Sequence, residues 1–468
     1  MDQPDSDAPS PTPGQPPLQE AAHPPLERPA APLLLSSGPT RGGERIAGID
    51  VLRGFAVLGI FVMNLPTFAY SRYAFMDPSL QGGLDAAADR WAWIGSHVVF
   101  EMKMMTLFSL LFGAGLFIIA DRQRRRRKAW DGMGRRPARP AAVIYRRLGV
   151  LLLVGLVHAY LVWEGDILFT YAVLGALVFP LYRLPAGWLV ALACLLLPVA
   201  MASNFGFGWF FEASRDAWDL QQADPERFAA LPGWQQEFAD EWPDLSRDFA
   251  PTEEMLAEER RVFQGGFLDL MPSRAEQAFF IQVPMMLMFS LWRVGGLMLL
   301  GMALFKSGGL RGAWSVRTYA ALAVLGLGLG YPMAFWGARG MLASDFDVVH
   351  LFKVGWNTNY VASLLVAMGY FGLVFLICKI NIFSMLRLVL ASIGRLALTN
   401  YLMQSVIAAT LFYGYGFGLW NEIGRAGLLG VVAGVWIGQA AFSTLWLRVF
   451  DFGPLEWLWR RTTYPSAT

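Results

Sequence analysis

Apolar residues run through this chain in stretches of about 20 positions, and few charged residues interrupt them. A hydrocarbon layer about 30 Å thick is crossed by about 20 helical residues. Backbone groups in lipid must be hydrogen-bonded within their own segment, so repeated apolar stretches of this length indicate helices. The pattern predicts an all-α fold, a polytopic transmembrane helical bundle of about ten spans, with nine to eleven as the range.

The apolar stretches predict ten spans and a division of the chain into four parts. The spans cover residues 48–70, 97–120, 143–162, 166–182, 187–205, 276–305, 314–337, 352–378, 390–416 and 424–447. Residues 206–275 are acidic and rich in Trp, which predicts two or three amphipathic helices that form either a solvated cap or a substrate-gathering lid. The four parts are a Pro-rich tail at 1–44, a first membrane half at 45–205, the extracytoplasmic cap at 206–275 and a second membrane half at 276–461.

Basic residues give the predicted orientation. The loop between the second and third spans holds Arg122, Arg124 to Arg127, Lys128, Arg135, Arg136 and Arg139. A basic block in a short loop belongs on the cytoplasmic side of a membrane. Arg41, Arg45, Arg183, Lys306, Arg311, Arg317, Lys379, Arg387, Arg448, Arg460 and Arg461 then also fall inside. The prediction is a bacterial cytoplasmic (inner) membrane protein with both termini in the cytoplasm and residues 206–275 outside.

Composition narrows the function classes. Residues are 55% hydrophobic and only 16% charged, and the net charge of +2 gives no reason to expect nucleic acid as a partner. The lipid bilayer is the expected partner. Two cysteines and four histidines favour neither a disulfide framework nor a metal site. The tail holds 11 of the 27 prolines and no long apolar core, so it predicts disorder and not a cleavable signal peptide.

Ionisable residues at membrane depth are costly and are candidate site residues for that reason. Asp50 and Arg53 lie three positions apart at the start of the first span, on one helix face. They form either an anchoring ion pair or a guanidinium poised for a phosphate or carboxylate. Asn64 lies 11 residues farther along, about 16 Å up the helix axis, and serves either helix packing or a site.

The strongest local signal is the segment from Gly155 to Leu168. His158 lies near the end of the third span, and Asp166 follows it within eight residues, across Gly165, which permits a tight reversal. The two side chains are predicted to face each other near the outer ends of adjacent helices. A carboxylate that orients an imidazole is the arrangement that a general base needs. Asp166 also lies where it could cap the fourth helix.

Three further segments carry polar residues. Lys103 precedes an apolar run in the second span and either snorkels outward or joins a site. Arg293 lies deep in its span and needs a partner in the bundle. Arg395 lies at the inner end of the ninth span, and Asn400 and Gln404 lie one turn apart on one face, which suits packing and site lining equally.

Together these segments resemble the YeiB-like family of bacterial integral membrane proteins, a family of unknown function. The matching motifs span residues 45–461. They are Asp50-Val-Leu-Arg53-Gly54 with Asn64, Lys103 to Gly115, His158 to Leu168, Gly394 to Gln404 and Gly453 to Arg460. More remotely, the chain is similar to transmembrane acyltransferases, including the lysosomal heparan glucosaminide N-acetyltransferase, in which an Asp-x-x-Arg-Gly signature and a later Asn occur on one span.

This remote resemblance implies acyl transfer from cytoplasmic acyl-CoA, acetyl-CoA above all, to a hydroxyl or amine on a small molecule or glycan at the outer face. Arg53, supported by Asp50, and Arg395 would bind the donor with Lys103 and Asn400 nearby. His158, Asp166 and Asn64 would be catalytic, and Asn64 or Lys103 would stabilise the oxyanion. The acetyltransferase has an outer-loop His where this chain reads Asp77 to Gly82. Either His158 or Asp77 replaces it, or the chemistry differs or is lost.

Two other classes of protein stay open beside the acyl-CoA-dependent transmembrane acyltransferase that the sequence favours. The same buried Arg, His and Asp residues would suit a permease for a small solute with a coupled proton. A structural or signalling membrane protein would use them only to hold helices together. The sequence identifies neither the acceptor nor the acyl chain length. It also leaves open a homodimer, a state that occurs among remote relatives.

Overall fold

Helices form the regular structure of the chain in the computed structural model, which describes residues 47–80, 83–130, 132, 138–247 and 249–463. The predicted disordered tail at 1–44 lies outside the described residues, as do Arg41, Arg45, Arg135 and Arg136. In chain order the α-helices are α1 Ala47–Ala69, α2 Ala87–Val99, α3 Lys103–Lys128, α4 Pro140–Leu161, α5 Leu168–Val178, α6 Ala186–Ala223, α7 Pro225–Ala229, α8 Gly233–Arg247, α9 Glu253–Phe263, α10 Phe267–Phe280, α11 Leu291–Lys306, α12 Val316–Ala343, α13 Val348–His350, α14 Trp356–Ile380, α15 Ser384–Arg395, α16 Ala397–Phe412, α17 Arg425–Val449 and α18 Pro454–Thr463.

Ten apolar helical segments correspond one to one with the ten predicted spans. Among the described residues, eight helical segments are long and apolar enough to cross a membrane, and two shorter ones cover Leu168–Arg183 and Ala397–Phe412. Large apolar side chains such as Leu153, Leu195 and Ile437 are exposed on the outer faces of these helices, as expected for helices surrounded by lipid. The predicted all-α transmembrane bundle is therefore confirmed, and the chain is a membrane protein.

Two predicted spans are broken where the sequence pattern shows no break. The second span divides at Glu101 and Met102, and Met102 has a positive φ of 62°, which is uncommon outside glycine. The ninth divides at Leu396 into α15 and α16. There the Glu456 carboxylate accepts hydrogen bonds from the backbone N–H of Leu398 and Thr399, at 2.7 and 3.2 Å. This distant carboxylate caps the first turn of α16 and stabilises a new helix start.

The helix of the fifth predicted span, α6, continues well past its predicted end at residue 205. α6 has 38 residues, which corresponds to about 57 Å, and its second half enters the segment predicted as a cap. Aromatic contacts explain the extension, because Phe211 packs on Phe249 and Phe352 with ring centroids 5.1 and 5.0 Å apart. The described residues of 206–275 form the end of α6, the helices α7 to α9 and the first part of α10.

The first and second predicted membrane halves pack directly on each other. α1 lies against α15 and α16, and α11 lies against α3 and α6. All the described residues belong to one compact unit. The walls of any internal cavity are therefore built from both halves.

The close crossing of α1 and α15 gives a stability prediction. A Cβ added to Gly394 would fall 1.9 Å from the carbonyl oxygen of Asp50, and one added to Gly54 would fall 1.9 Å from that of Leu390. We expect Gly394→Ala to destabilise the protein by about 1–3 kcal/mol because two backbones must separate. Thermal unfolding in detergent measures this change. Gly434→Ala is the control, since its Cβ would meet nothing within 4 Å; equal melting temperatures for the two variants would contradict the prediction.

Candidate functional site

A large cavity of about 1570 Å³ lies between the helices. Its volume exceeds the roughly 300–1,000 Å³ of ordinary small-molecule sites. We call one end the arginine end, and the residues that define it are Arg53, Arg122, Arg126, Arg147, Arg395 and Arg460. We call the other the acidic end, which is lined by Glu101, Glu164 and Asp166. One cavity therefore joins a cationic end to a set of carboxylates.

The arginine end is built from the ends of α3 and α15, the first turns of α1 and α4, and α18. Arg147 stacks 4.0 Å over the ring of Trp459, whose Nε1 donates to the backbone oxygen of Arg147 at 3.0 Å. Glu456 also lines this end, with its carboxylate used to cap α16. Six guanidinium groups beside one carboxylate make this part of the described wall strongly positive, which favours phosphate or carboxylate ligands.

His158 and Asp166 face each other as the sequence predicted. His158 Nδ1 lies 2.8 Å from Asp166 Oδ1, and Asp166 Oδ2 accepts the backbone N–H of Phe169 at 2.8 Å. Asp166 therefore both contacts the imidazole and caps α5. The close approach needs Gly155, because a Cβ there would lie 2.4 Å from the nitrogen of Phe169. A carboxylate only accepts hydrogen bonds, so Nδ1 carries the proton and Nε2 is the basic nitrogen.

The imidazole of His158 lies one layer behind the cavity wall. Its residue is only 2% exposed, and Nε2 has no hydrogen-bond partner among the described residues. Its ring packs against Trp163 and Tyr401, with ring centroids 6.2 and 5.4 Å away. Both of these aromatic residues line the cavity, as does Asp166. His158 therefore contacts two residues of the cavity wall without lining the cavity itself.

Three more predicted site residues lie at the cavity. Arg53 and Asn64 both line it from α1, and Arg395 lines it from the end of α15. Arg53 Nη1 is 3.1 Å from Asp50 Oδ1, so Asp50 orients Arg53 without lining the cavity itself. The side-chain amide of Asn64 makes no hydrogen bond to any described residue. Arg53 and Asn64 thus lie toward the two ends of one wall.

Lys103 and Asn400 are placed elsewhere. The ammonium of Lys103 is fully buried and donates to the backbone oxygen of His97 at 2.7 Å and to Asn359 Oδ1. Asn400 Nδ2 donates to Ser443 Oγ at 2.9 Å, and Gln404 likewise bonds neighbouring helices. None of the three residues belongs to the described cavity wall. Of the two alternatives for Asn400 and Gln404, the structure shows helix packing.

A second imidazole–carboxylate pair, His97 and Glu101, was not predicted from the sequence. His97 Nδ1 lies 2.7 Å from Glu101 Oε2 at the break between α2 and α3. Glu101 lines the large cavity and also a smaller one of about 100 Å³, which His97 lines as well. The spacing of four residues on a helix was the available signal, because it places both side chains on one face.

Glu164 belongs to the acidic end, whereas Glu259 of α9 lies near Glu164 and does not line the cavity. Glu164 lines the cavity and lies 3.9 Å from Arg274 Nε. Burial raises the pKa of Glu164, an effect that the positive charge of Arg274 partly offsets. Glu259 accepts hydrogen bonds from Ser71 Oγ and the backbone N–H of Arg72, and burial likewise raises its pKa. Within the described chain, no three His, Cys, Asp or Glu residues form a group suited to hold a metal ion.

Comparisons with known proteins place the chain in a family. It is 30% identical to the "Uncharacterized protein YeiB" of Escherichia coli (strain K12) over 449 residues, which are 91% of this chain and 97% of that relative. The chain belongs to the YeiB-like family. It is also 30% identical to "Uncharacterized protein YxaH" of Bacillus subtilis (strain 168), over 92% of this chain and 96% of that protein. The family predicted from the motifs is confirmed.

The YeiB-like similarity covers both ends of the cavity. A family model described as "Protein of unknown function (DUF418)" matches residues 304–466, which include Arg395, Tyr401 and Arg460. No solved structure matches the chain. The family assignment describes no activity, so a function for this YeiB-like chain must be argued from its cavity.

Proposed function

We propose that this YeiB-like protein is an acyltransferase that moves an acyl group from acyl-CoA, held at the arginine end, to a hydroxyl or amine that enters at the acidic end. The observation that carries the proposal is one continuous cavity, lined by Arg53 and Arg395 at one end and by Asn64 and Asp166 at the other. Lys103 and Asn400, which do not line that cavity, have no part in it.

The arginine end suits the charged half of CoA. Coenzyme A carries its phosphates and adenine at one end of a long flexible arm and its thioester at the other. Guanidinium groups bind phosphates through paired, charge-assisted hydrogen bonds. Asp50 holds Arg53 in place, and Trp459 offers an aromatic face nearby. The rise along α1 from Arg53 to Asn64 is about 16 Å, a distance that the extended pantetheine arm covers.

The reaction uses His158 as the base. The acceptor heteroatom attacks the thioester carbonyl carbon while its proton moves to His158 Nε2, and the carbonyl π electrons move to oxygen. The oxyanion then reforms the C=O bond, and the C–S bond breaks with its electron pair on sulfur. The imidazolium returns the proton to that thiolate, so the products are the acylated acceptor and CoA thiol. Asp166 stabilises the imidazolium that forms between the two steps.

The proposed orientation follows the positive-inside rule. Arg122 and Arg126, which line the arginine end, belong to the basic block between α3 and α4. We therefore propose that the arginine end opens to the cytoplasm of a bacterial inner membrane, where acyl-CoA is made. The acceptor, a small molecule or glycan, then comes from the opposite side.

The test uses purified protein in nanodiscs and then in sealed vesicles. We expect acetyl-CoA and CoA to bind, and radiolabelled acetyl groups to appear on extracted glycans or small molecules when acetyl-CoA is supplied on the arginine side. Binding is measured by calorimetry, and labelling by chromatography of the extracted acceptors. No binding of CoA at millimolar concentration would overturn the proposal. Passage of a solute across the vesicle without chemical change would replace it with the transporter alternative.

A further inference from the structure

A buried arginine lies in the cavity wall between its two ends. Arg293 is only 3% exposed, and it belongs to the first turn of α11, about 20 Å along the axis from the end of that helix at Lys306. It lines the cavity. This position is deep in the membrane, where a charged group is expensive and marks a site when it faces a cavity.

The guanidinium of Arg293 is held on one side only. Its Nη2 donates to Thr106 Oγ1 at 3.0 Å and to Ser363 Oγ at 2.7 Å, and its Cζ lies 4.1 Å from the ring centre of Tyr360. Nε and Nη1 have no hydrogen-bond partner, and no carboxylate lies within 4.0 Å, in the part of the chain that the structure describes. A buried cation with two donor nitrogens that make no hydrogen bond calls for an oxygen that carries negative charge.

Arg293 lies close to the His158–Asp166 pair through a short chain of contacts. Tyr171 follows Asp166 by five residues on α5, and its hydroxyl is 3.0 Å from Ser109 Oγ and 3.3 Å from the backbone oxygen of Met105. Thr106, the next residue on that turn of α3, accepts from Arg293. Arg293 is therefore linked to Asp166 through α3 and Tyr171, which lies about 7.5 Å along the helix axis from Asp166.

We infer that Arg293 binds the carbonyl oxygen of the donor thioester and stabilises the oxyanion that forms on it. This inference rests on the proposed acyl transfer. Negative charge grows on that oxygen as the acceptor attacks, and donors fixed in a dry site lower the energy of such a charge strongly. Arg293 keeps its protons throughout. It takes the role predicted from the sequence for Asn64 or Lys103. The ammonium of Lys103 donates hydrogen bonds to His97 and Asn359, and Lys103 does not line the cavity.

The test compares two ligands that differ only in the carbonyl. S-ethyl-CoA is a thioether in which two hydrogens replace the carbonyl oxygen of acetyl-CoA. We expect the wild-type protein to bind acetyl-CoA about tenfold more tightly, which is the lower range for a charge-assisted hydrogen bond. Arg293→Gln should abolish this preference and leave the affinity for CoA within about threefold. Arg293→Lys, which keeps the charge, should show a reduced preference and covers the case in which the Gln variant fails to fold.

Arg274→Gln is the matched control. Arg274 is 1% exposed and also has two nitrogens without a hydrogen-bond partner among the described residues, but it does not line the cavity. This variant should keep the wild-type preference for acetyl-CoA. If the wild-type protein binds both ligands equally, or if Arg293→Gln and Arg293→Lys retain its full preference, the inference is wrong while the proposed function stands. If no CoA compound binds, the proposed function is wrong, and so is the inference that rests on it.

Discussion

Replacing His158 with Gln is expected to lower the rate of acyl transfer by about 10²- to 10⁴-fold, the usual contribution of a positioned general base. Asp166 Oδ1 lies 2.8 Å from Nδ1 of the imidazole, and Nε2 has no hydrogen-bond partner among the described residues. The substitution therefore removes Nε2, which is the basic nitrogen. Transfer of radiolabelled acetyl groups to the acceptor measures the rate. The affinity for CoA should not change, because the arginine end lies at the other end of the cavity.

The control for this experiment is His350→Gln. His350, like His158, has a buried Nε2 without a hydrogen-bond partner in the described structure and does not itself line the large cavity, but no carboxylate of the described residues forms an ion pair with its imidazole. Its replacement should leave the rate of transfer near that of the wild type. Asp166→Asn is a second variant, which retains an oxygen to cap α5 but lacks the charge that stabilises the imidazolium. A His158→Gln protein with more than half of the wild-type rate would exclude the base role.

The spans could be predicted because an apolar stretch of about 20 residues has one stable form in lipid, and that information is local. The breaks within these spans could not be predicted from the sequence. Met102 adopts its unusual backbone conformation inside an apolar segment, and the end of α15 is fixed by Glu456, which lies some 60 positions farther along the chain. The extension of α6 depends on aromatic residues of two other segments, Phe249 and Phe352. Breaks and extensions of this kind follow from contacts between distant residues.

The same distinction holds for the site. The contact between His158 and Asp166 follows from a short reversal at Gly165, so spacing alone predicted it. In the sequence, Lys103 and Arg293 are both isolated cations in apolar helices. Only the packing of the helices shows that Lys103 binds Asn359 while Arg293 lines the cavity. The gathering of Arg122 and Arg147 with Arg53 also depends on which faces of three helices meet.

The arginine end yields the second large prediction. We expect the double variant Arg53→Gln/Arg395→Gln to bind CoA about 10²-fold more weakly or worse, since each charge-assisted hydrogen bond to a phosphate is worth about 1.5–3 kcal/mol. Calorimetry at several salt concentrations measures the affinity. The wild-type affinity should fall as salt rises, because part of the attraction between arginines and phosphates is screened. The double variant should respond less to salt.

Two comparisons separate phosphate binding from damage to the fold. S-acetylpantetheine carries the thioester arm without the adenine and its phosphates, so the double variant should bind it as the wild type does. Arg339→Gln replaces an exposed arginine of α12 that does not line the cavity, and it should bind CoA normally. Arg53 is partly exposed beside Asp50, and Arg395 donates a hydrogen bond to the backbone oxygen of Asp451. Unchanged CoA affinity in the double variant would remove the cationic end from the donor site, and the direction of acyl transfer through the cavity would lose its physical basis.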